Sequence, residues 1–508
     1  MAKSDGGRII RTFQRRQEIH SALKALARVR DERERLKQAQ ALAQYGEEII
    51  PILLRYLETT DPFLRGAVGL VVSFLPRETI APRLREVVMN PARNDQERMT
   101  ALMFLERFLD EPIEESVYAQ LRDPHAVIVQ SLREVVTYQK ESPDLLLEYV
   151  SQLQEEPVEV ALMVLSAMSQ FPPEEMYPLL QLLAQDVREE VALAVIEALE
   201  RNPHPTGLAI LDLLAHLADE PIRTRGRRAA TKMRMRGVRP ADRPDTQWRT
   251  LVTPPDIHGS QAFWLLRNRG GRYSLLGLLT NMALGIQFAF YLNDVPDGLV
   301  PEQPVGQILP VAMGDDPTQP SEVAWFLEAP VGHVRRWLKG LVMQNYHSAY
   351  QLPVSYRHWG AHFWWETAHI PEATLSLPAP RPPSLEEAFF LFRHPVLHQW
   401  YMDLPRDPEQ ERMWVQQGLE YSTLLSAFIE VRDRVPADVW PGLSPPLRVL
   451  AEWMLLAGEE ELAQFAVDGA RAMEELSYEE NPYAQALVLR GLDMLFTELR
   501  QARDHWDE

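Results

Sequence analysis

Apolar residues in the first half of the chain recur at helical spacing, and acidic residues interrupt them at near-regular intervals. Asp61-Pro62, Asp95-Gln96, Asp123-Pro124, Glu156-Pro157, Asp186-Val187 and Glu220-Pro221 each precede a run of small and aliphatic side chains. Successive marks lie 34, 28, 33, 30 and 34 residues apart. Repetition at this period signals stacked units, none of which can bury its apolar face alone. An acidic residue before a helix satisfies free N–H groups, and proline at the first helical position sacrifices no hydrogen bond. Antiparallel helix pairs are therefore expected over residues 1–238. One unit reads as Glu47–Thr59, the Asp61-Pro62 corner, then Phe63–Leu75. In Asp186–Leu199, the positions Val187, Val191, Ala194, Val195 and Ala198 fall on one helical face, where small residues let neighbouring helices approach.

The pattern changes after Gly237, a helix-terminating glycine. Residues 239–245 (RPADRPD) read as a linker. Ala262–Arg267 and Tyr273–Leu279 then predict two strands around the Asn268–Arg272 turn, with a third at Ile286–Leu292. Ser321–Met343 reads as a helix, followed by proline- and aromatic-rich chain. Residues 246–383 are expected to form a small α+β module and 384–508 a helical bundle. In the bundle, Ser384 has capping-box spacing to Glu387, and Asp407-Pro408, Ser444-Pro445 and Asn481-Pro482 place caps before prolines. The expected fold class is mainly α: an N-terminal α-solenoid, the α+β module and the bundle.

Asp-Pro-x-x-Arg-x-Ala at Asp61–Ala67 and Asp-Val-Arg-x-x-Val-Ala at Asp186–Ala192 carry a family resemblance. Over about residues 40–238 the chain resembles the HEAT-repeat superfamily, including its bacterial phycobilisome-lyase-like branch. Val127-Ile128 and Val158-Glu159 depart from the pattern after their respective marks. The resemblance implies an α-solenoid and a protein-interaction role; it implies no particular partner.

Composition narrows the chemistry. The 508 residues exceed one hydrophobic core. The absence of cysteine removes disulfides, thiolate metal sites and a cysteine nucleophile, and fits a cytoplasmic location. Tyr273–Asn293 passes 21 residues without a charge, long enough to span a bilayer, yet Ser274, Thr280, Asn281 and Gln287 interrupt it. Paired strands suit it better than a membrane helix, and no membrane partner is expected. The net charge of −20 is uneven: residues 1–40 stand at +6, residues 222–243 at +8 and the remainder at −34.

That asymmetry supplies the candidate site. Arg223, Arg227, Arg228, Lys232, Arg234 and Arg236 lie on one basic helix, with Arg223, Arg227, Ala230 and Arg234 expected on one face. Arg11, Arg15, Arg16, Lys24, Arg28 and Arg30 form a second patch. Such patches attract an acidic protein or phosphate groups. Because the middle of the array is acidic, a protein partner is favoured over nucleic acid.

The sharpest constellation for catalysis is His358, His362, Glu366 and His369, with His394 and His398 as a further i, i+4 pair. Imidazole and carboxylate suit zinc or iron, but four residues along one straight helix span too far to hold a single ion. The competing reading is an aromatic packing surface of Trp359, Phe363, Trp364 and Trp365. Asn268-Arg-Gly-Gly-Arg272 lacks the phosphate-loop pattern, and Gly259-Ser260-Gln261 lacks that of a nucleophile elbow. The expectation is a non-catalytic protein–protein interaction scaffold without cofactor or metal. The alternatives are a nucleic-acid-associated protein using the basic patches and a metal-dependent enzyme sited within 246–383.

Overall fold

The computed structural model describes residues 5–29, 31–111, 124–139, 143–242, 244, 246–295, 300, 306–313, 322–431 and 435–506. The protein is mainly helical, with a small antiparallel sheet of six strands among the described residues. Two compact units divide between Met176 and Tyr177, within the Pro173–Ala184 helix rather than at residues 239–245.

In the first unit, helices Asp5–Leu26, Glu32–Ala43, Pro62–Ser73, Arg77–Met89 and Asp95–Met103 bury aliphatic faces around Leu23, Val68, Val71, Ile80 and Leu102. The marks do not all act alike. Asp61 caps its helix by accepting from the N–H groups of Phe63 and Leu64 (3.0 and 3.2 Å), with Pro62 at the first turn. Asp95 is already helical; Asn94 is the cap and exchanges bonds with Glu97. Pro157, whose ring nitrogen carries no hydrogen, stands at the next start without a side-chain cap. Asp123 lies outside the described residues. The expected Glu47–Thr59 helix breaks into a short Ile50–Leu53 helix between two 3₁₀ turns, with Pro51 in its first turn.

In the second unit the marks differ again. The Glu189–Arg201 helix begins later than expected, and Asp186 is a fully buried ion-pair partner of Arg188 and Arg357. Its packed face is Val191, Ala192, Val195, Ile196 and Leu199, whereas Ala194 and Ala198 are half-exposed. At Glu220-Pro221 the glutamate accepts from the Thr224 N–H. Gly237, at φ +85°, ends the Ile222–Met235 helix as expected, and Val238 N–H bonds the Met233 carbonyl.

The sheet comprises β1 (Gln247–Val252), β2 (Ser260–Arg269), β3 (Arg272–Asn281), β4 (Gly285–Leu292), β5 (Ile308–Met313) and β6 (Glu322–Glu328), in the order β4-β3-β2-β1-β6-β5. The hairpin and third strand read from sequence are β2, β3 and β4; β1, β5 and β6 were not anticipated. The uncharged stretch is thus a strand pair, and no described helix is long and apolar enough to cross a membrane. The helix expected over Ser321–Met343 is instead strand β6 followed by the Val331–Ser348 helix. Pro330, lacking an N–H, stands at the helix start and separates them.

Alternation along the strands builds two cores. One face sends Val252, Phe263, Leu265, Leu276, Leu278 and Ile286 against helices Val331–Ser348 and Val354–Glu366, in a core that also includes Leu213, Leu217 and the C-terminal helices. The other face carries Leu251, Trp264, Leu266, Leu275, Leu309 and Phe326. Two indoles tie the C-terminal helices to backbone beside the sheet: Trp453 Nε1 donates to the Val252 carbonyl (3.0 Å) and Trp400 Nε1 to that of Pro255 (2.7 Å). In the C-terminal region Ser384, Asp407 and Asn481 cap helices as expected. Ser444 does not; it is the first residue of its helix, and its hydroxyl donates to Glu474 (2.6 Å).

Candidate functional site

The basic helix Ile222–Met235 buries Ile222, Gly226, Ala229, Ala230 and Met233. Gly226 is needed for the close approach, since a methyl there would lie 3.2 Å from Leu214 Cβ. Ala230 belongs to this buried face, not to the basic stripe.

The six basic candidates divide by what they touch. Arg223 is half-buried, donating from Nε to the Ala218 carbonyl (2.9 Å), with its guanidinium 3.3 Å from Met343 Sδ. Arg234 grips both oxygens of Asp212 (2.6 Å each). Lys232 stands 3.9 Å from Glu200, and Arg236 donates to the Glu200 carbonyl (3.1 Å). Arg225, absent from the sequence candidates, makes two parallel bonds of 2.9 Å to Glu200. Those bonds lead the forces holding the Glu200 carboxyl below its usual range. Arg227 and Arg228 are exposed, and neither forms an ion pair among the described residues. In the N-terminal patch, Arg15 bonds Glu48 (3.2 Å) and lies over the Tyr45 ring. The Arg11 side chain and Arg30 lie outside the described residues.

The histidine-rich segment forms the helix Val354–Glu366, bringing His358, His362 and Glu366 onto successive turns. His369 falls beyond the helix end and is exposed. Glu366 is buried and fully engaged. Its carboxylate accepts from Thr246 Oγ1 (2.7 Å), Trp248 Nε1 (2.9 Å), Arg267 Nε (3.0 Å) and a second Arg267 nitrogen. This pins the start of β1 and the end of β2 to one helix. The rings of His358 and His362 stand 6.3 Å apart. Burial pushes His358 down to about 4, with the charge of His362 acting in the same direction, and its Nδ1 has no hydrogen-bond partner among the described residues. His362 is lowered by burial first and Arg267 second, with Glu366 opposing.

Aromatic rings fill the space around these groups. Trp359 stacks on Tyr291 at 3.7 Å between centroids and 5° between planes, and Trp248 packs edge-on to Phe363. The cleft among Trp248, Arg267, Tyr291, Trp359 and His362 leaves room for about one water molecule. His394 and His398 do not share a regular helix; they flank the 3₁₀ turn Pro395–Leu397. The Asn268–Arg272 segment is the β2–β3 turn, with Gly270 and Gly271 at φ +62° and +85° and Gly271 N–H bonded to Asn268 Oδ1 (3.0 Å).

The sequence had no signal for the other buried or half-buried charges. Arg357 is fully buried; its guanidinium bonds the Leu182 and Leu352 carbonyls and lies 3.8 Å from Asp186. Asp468 accepts from the Arg381 backbone and side chain. Glu452 accepts from Arg336 and from Trp337 Nε1 (2.6 Å). Leu352 aside, these partners are far apart in sequence, so no local pattern could reveal them.

Comparison with known protein families, curated proteins and solved structures found no match.

Proposed function

We propose that this chain is a non-catalytic protein–protein interaction scaffold acting in the cytoplasm. Its N-terminal helix pairs would form a HEAT-like array, and Arg227 and Arg228 would be its available basic contacts. The observation that carries this reading is where the charged constellations go. Glu366 spends its acceptor capacity on Thr246, Trp248 and Arg267, and its histidine neighbours are packed among aromatics. On the basic helix, Arg234, Arg225 and Lys232 face carboxylates of the same chain. Two exposed guanidiniums remain, few for a polyanion but enough to orient an acidic protein surface.

The test is affinity purification of the tagged full chain from its host, with and without nuclease, beside the double variant Arg227→Glu, Arg228→Glu. The expected result is a defined protein that survives nuclease and whose binding weakens by roughly tenfold or more in the variant. Recovery that depends on nucleic acid would overturn the reading and put the basic helix on a phosphate backbone.

A further inference from the structure

Strand β4 forms one edge of the sheet, and among the described strands it pairs with β3 alone. An edge strand exposes a row of backbone donors and acceptors that can pair with another strand, and proteins blunt such edges with proline, charge or a cover. The opposite edge, β5, carries Pro310. Strand β4, GIQFAFYL, contains neither proline nor charge.

Among the described residues, only the start of this edge is covered. Asn345, fully buried on the Val331–Ser348 helix, accepts from Ile286 N–H (2.8 Å) and donates to the Ile286 carbonyl (3.0 Å), as a neighbouring strand would. From Gln287 to Leu292, no described group bonds the strand from that side. The apolar surface continues there: Phe288 is 53% exposed, its cross-strand neighbour Leu279 50% and Leu292 39%. Phe288 and Phe290 lie with ring centroids 6.2 Å apart.

We propose that β4 pairs antiparallel with β4 of a second copy of this chain, making the sheet continuous across a two-fold axis. Three features select a second copy. The free edge needs a strand, and an uncharged face suits the apolar composition of homodimer interfaces. The strand is also complementary to itself when the axis passes at Phe290. Phe290 then meets its own counterpart, Phe288 meets the counterpart of Leu292, and the Asn345-covered end stays outside the pairing. Antiparallel pairing also keeps the two copies of Asp294 at opposite ends of the contact, where like charges do not meet. The inference is independent of the scaffold reading, because it uses no residue of the basic helix.

Sedimentation equilibrium of the full chain tests it across a dilution series. The variants are Phe288→Lys and Leu292→Lys, with Met235→Lys, on the exposed end of the basic helix, as control; circular dichroism checks that each folds. The expected mass is about twice the 58.4 kDa of the chain. Dissociation should rise by roughly tenfold or more in both β4 variants and remain unchanged in the control. A wild-type monomer throughout the series would overturn the proposal, even if the edge bound a strand of another protein. So would a dimer indifferent to both β4 substitutions.

Discussion

At the residue scale, the polar side chains around the sheet differ in how far hydrogen bonds offset their burial. Glu366, buried, and Glu452, half-buried, each receive an arginine and a tryptophan indole, donors that replace the water their carboxylates lose. His358 is the opposite case. Burial disfavours its proton, and the folded value of about 4 lies below the ordinary 6.5. Between these values the unfolded chain binds the proton and the native chain does not, so stability rises with pH. The contribution is complete above about pH 6.5 and is lost as pH falls towards 4, with a size of about 3 kcal/mol at most. Chemical denaturation should therefore show a midpoint that drops through this window, and His358→Gln should flatten the drop. An equally steep profile in that variant would assign the effect to other groups. The candidate histidines were legible in sequence as a helix-spaced set. The saturation of Glu366 beside them was not, because Thr246, Trp248 and Arg267 approach it from 99 to 120 residues away.

At the element scale, β2, β3 and β4 were readable because turn chemistry and strand composition are local. Two glycines at positive φ close the β2–β3 hairpin. By contrast, β6 was hidden because Glu322–Glu328 abuts a true helix without a turn signal beyond Ala329-Pro330. At Asp186 the expected helix start failed because the carboxylate serves Arg188, two residues on, and the distant Arg357 rather than the first turn of the helix. Gly285 has a requirement that the sequence also concealed. At φ +88° a methyl group would overlap Asn345 Oδ1 and come within 2.5 Å of the Leu341 carbonyl. Gly285→Ala should therefore destabilise by roughly 2 kcal/mol or more through strain and loss of the Asn345 cover. Gly270→Ala bears a comparable backbone strain at φ +62°, but nothing lies within 4 Å of the added methyl. It should cost less, and equal denaturation midpoints for the two variants would contradict the steric account.

At the scale of the whole molecule, periodicity alone suggests that the helical array ends at the linker 239–245. The compact unit that contains the sheet begins at Tyr177 instead. A repeat signal records local helix pairing and carries no information about which core a pair finally joins. Leu213 and Leu217, on the Pro205–Leu217 helix, enter the core of the sheet-facing helices. Gln185 donates to the Arg357 carbonyl (2.9 Å), and the buried Arg357 depends on the Leu182 carbonyl and Asp186. A fragment 246–508 would lose all of these partners. It would leave a guanidinium buried without its counter-charge, at a cost of roughly 3–5 kcal/mol, together with the contacts of two core leucines. A fragment 173–508 keeps the Pro173–Ala184 helix whole and retains every one of them. The longer fragment should unfold cooperatively by circular dichroism and calorimetry, and the shorter one should melt at a markedly lower temperature or fail to fold. If 246–508 melts as sharply and as late as 173–508, then the helices from Tyr177 to Met235 add little to the stability of the sheet-containing unit, and the boundary belongs at the linker after all.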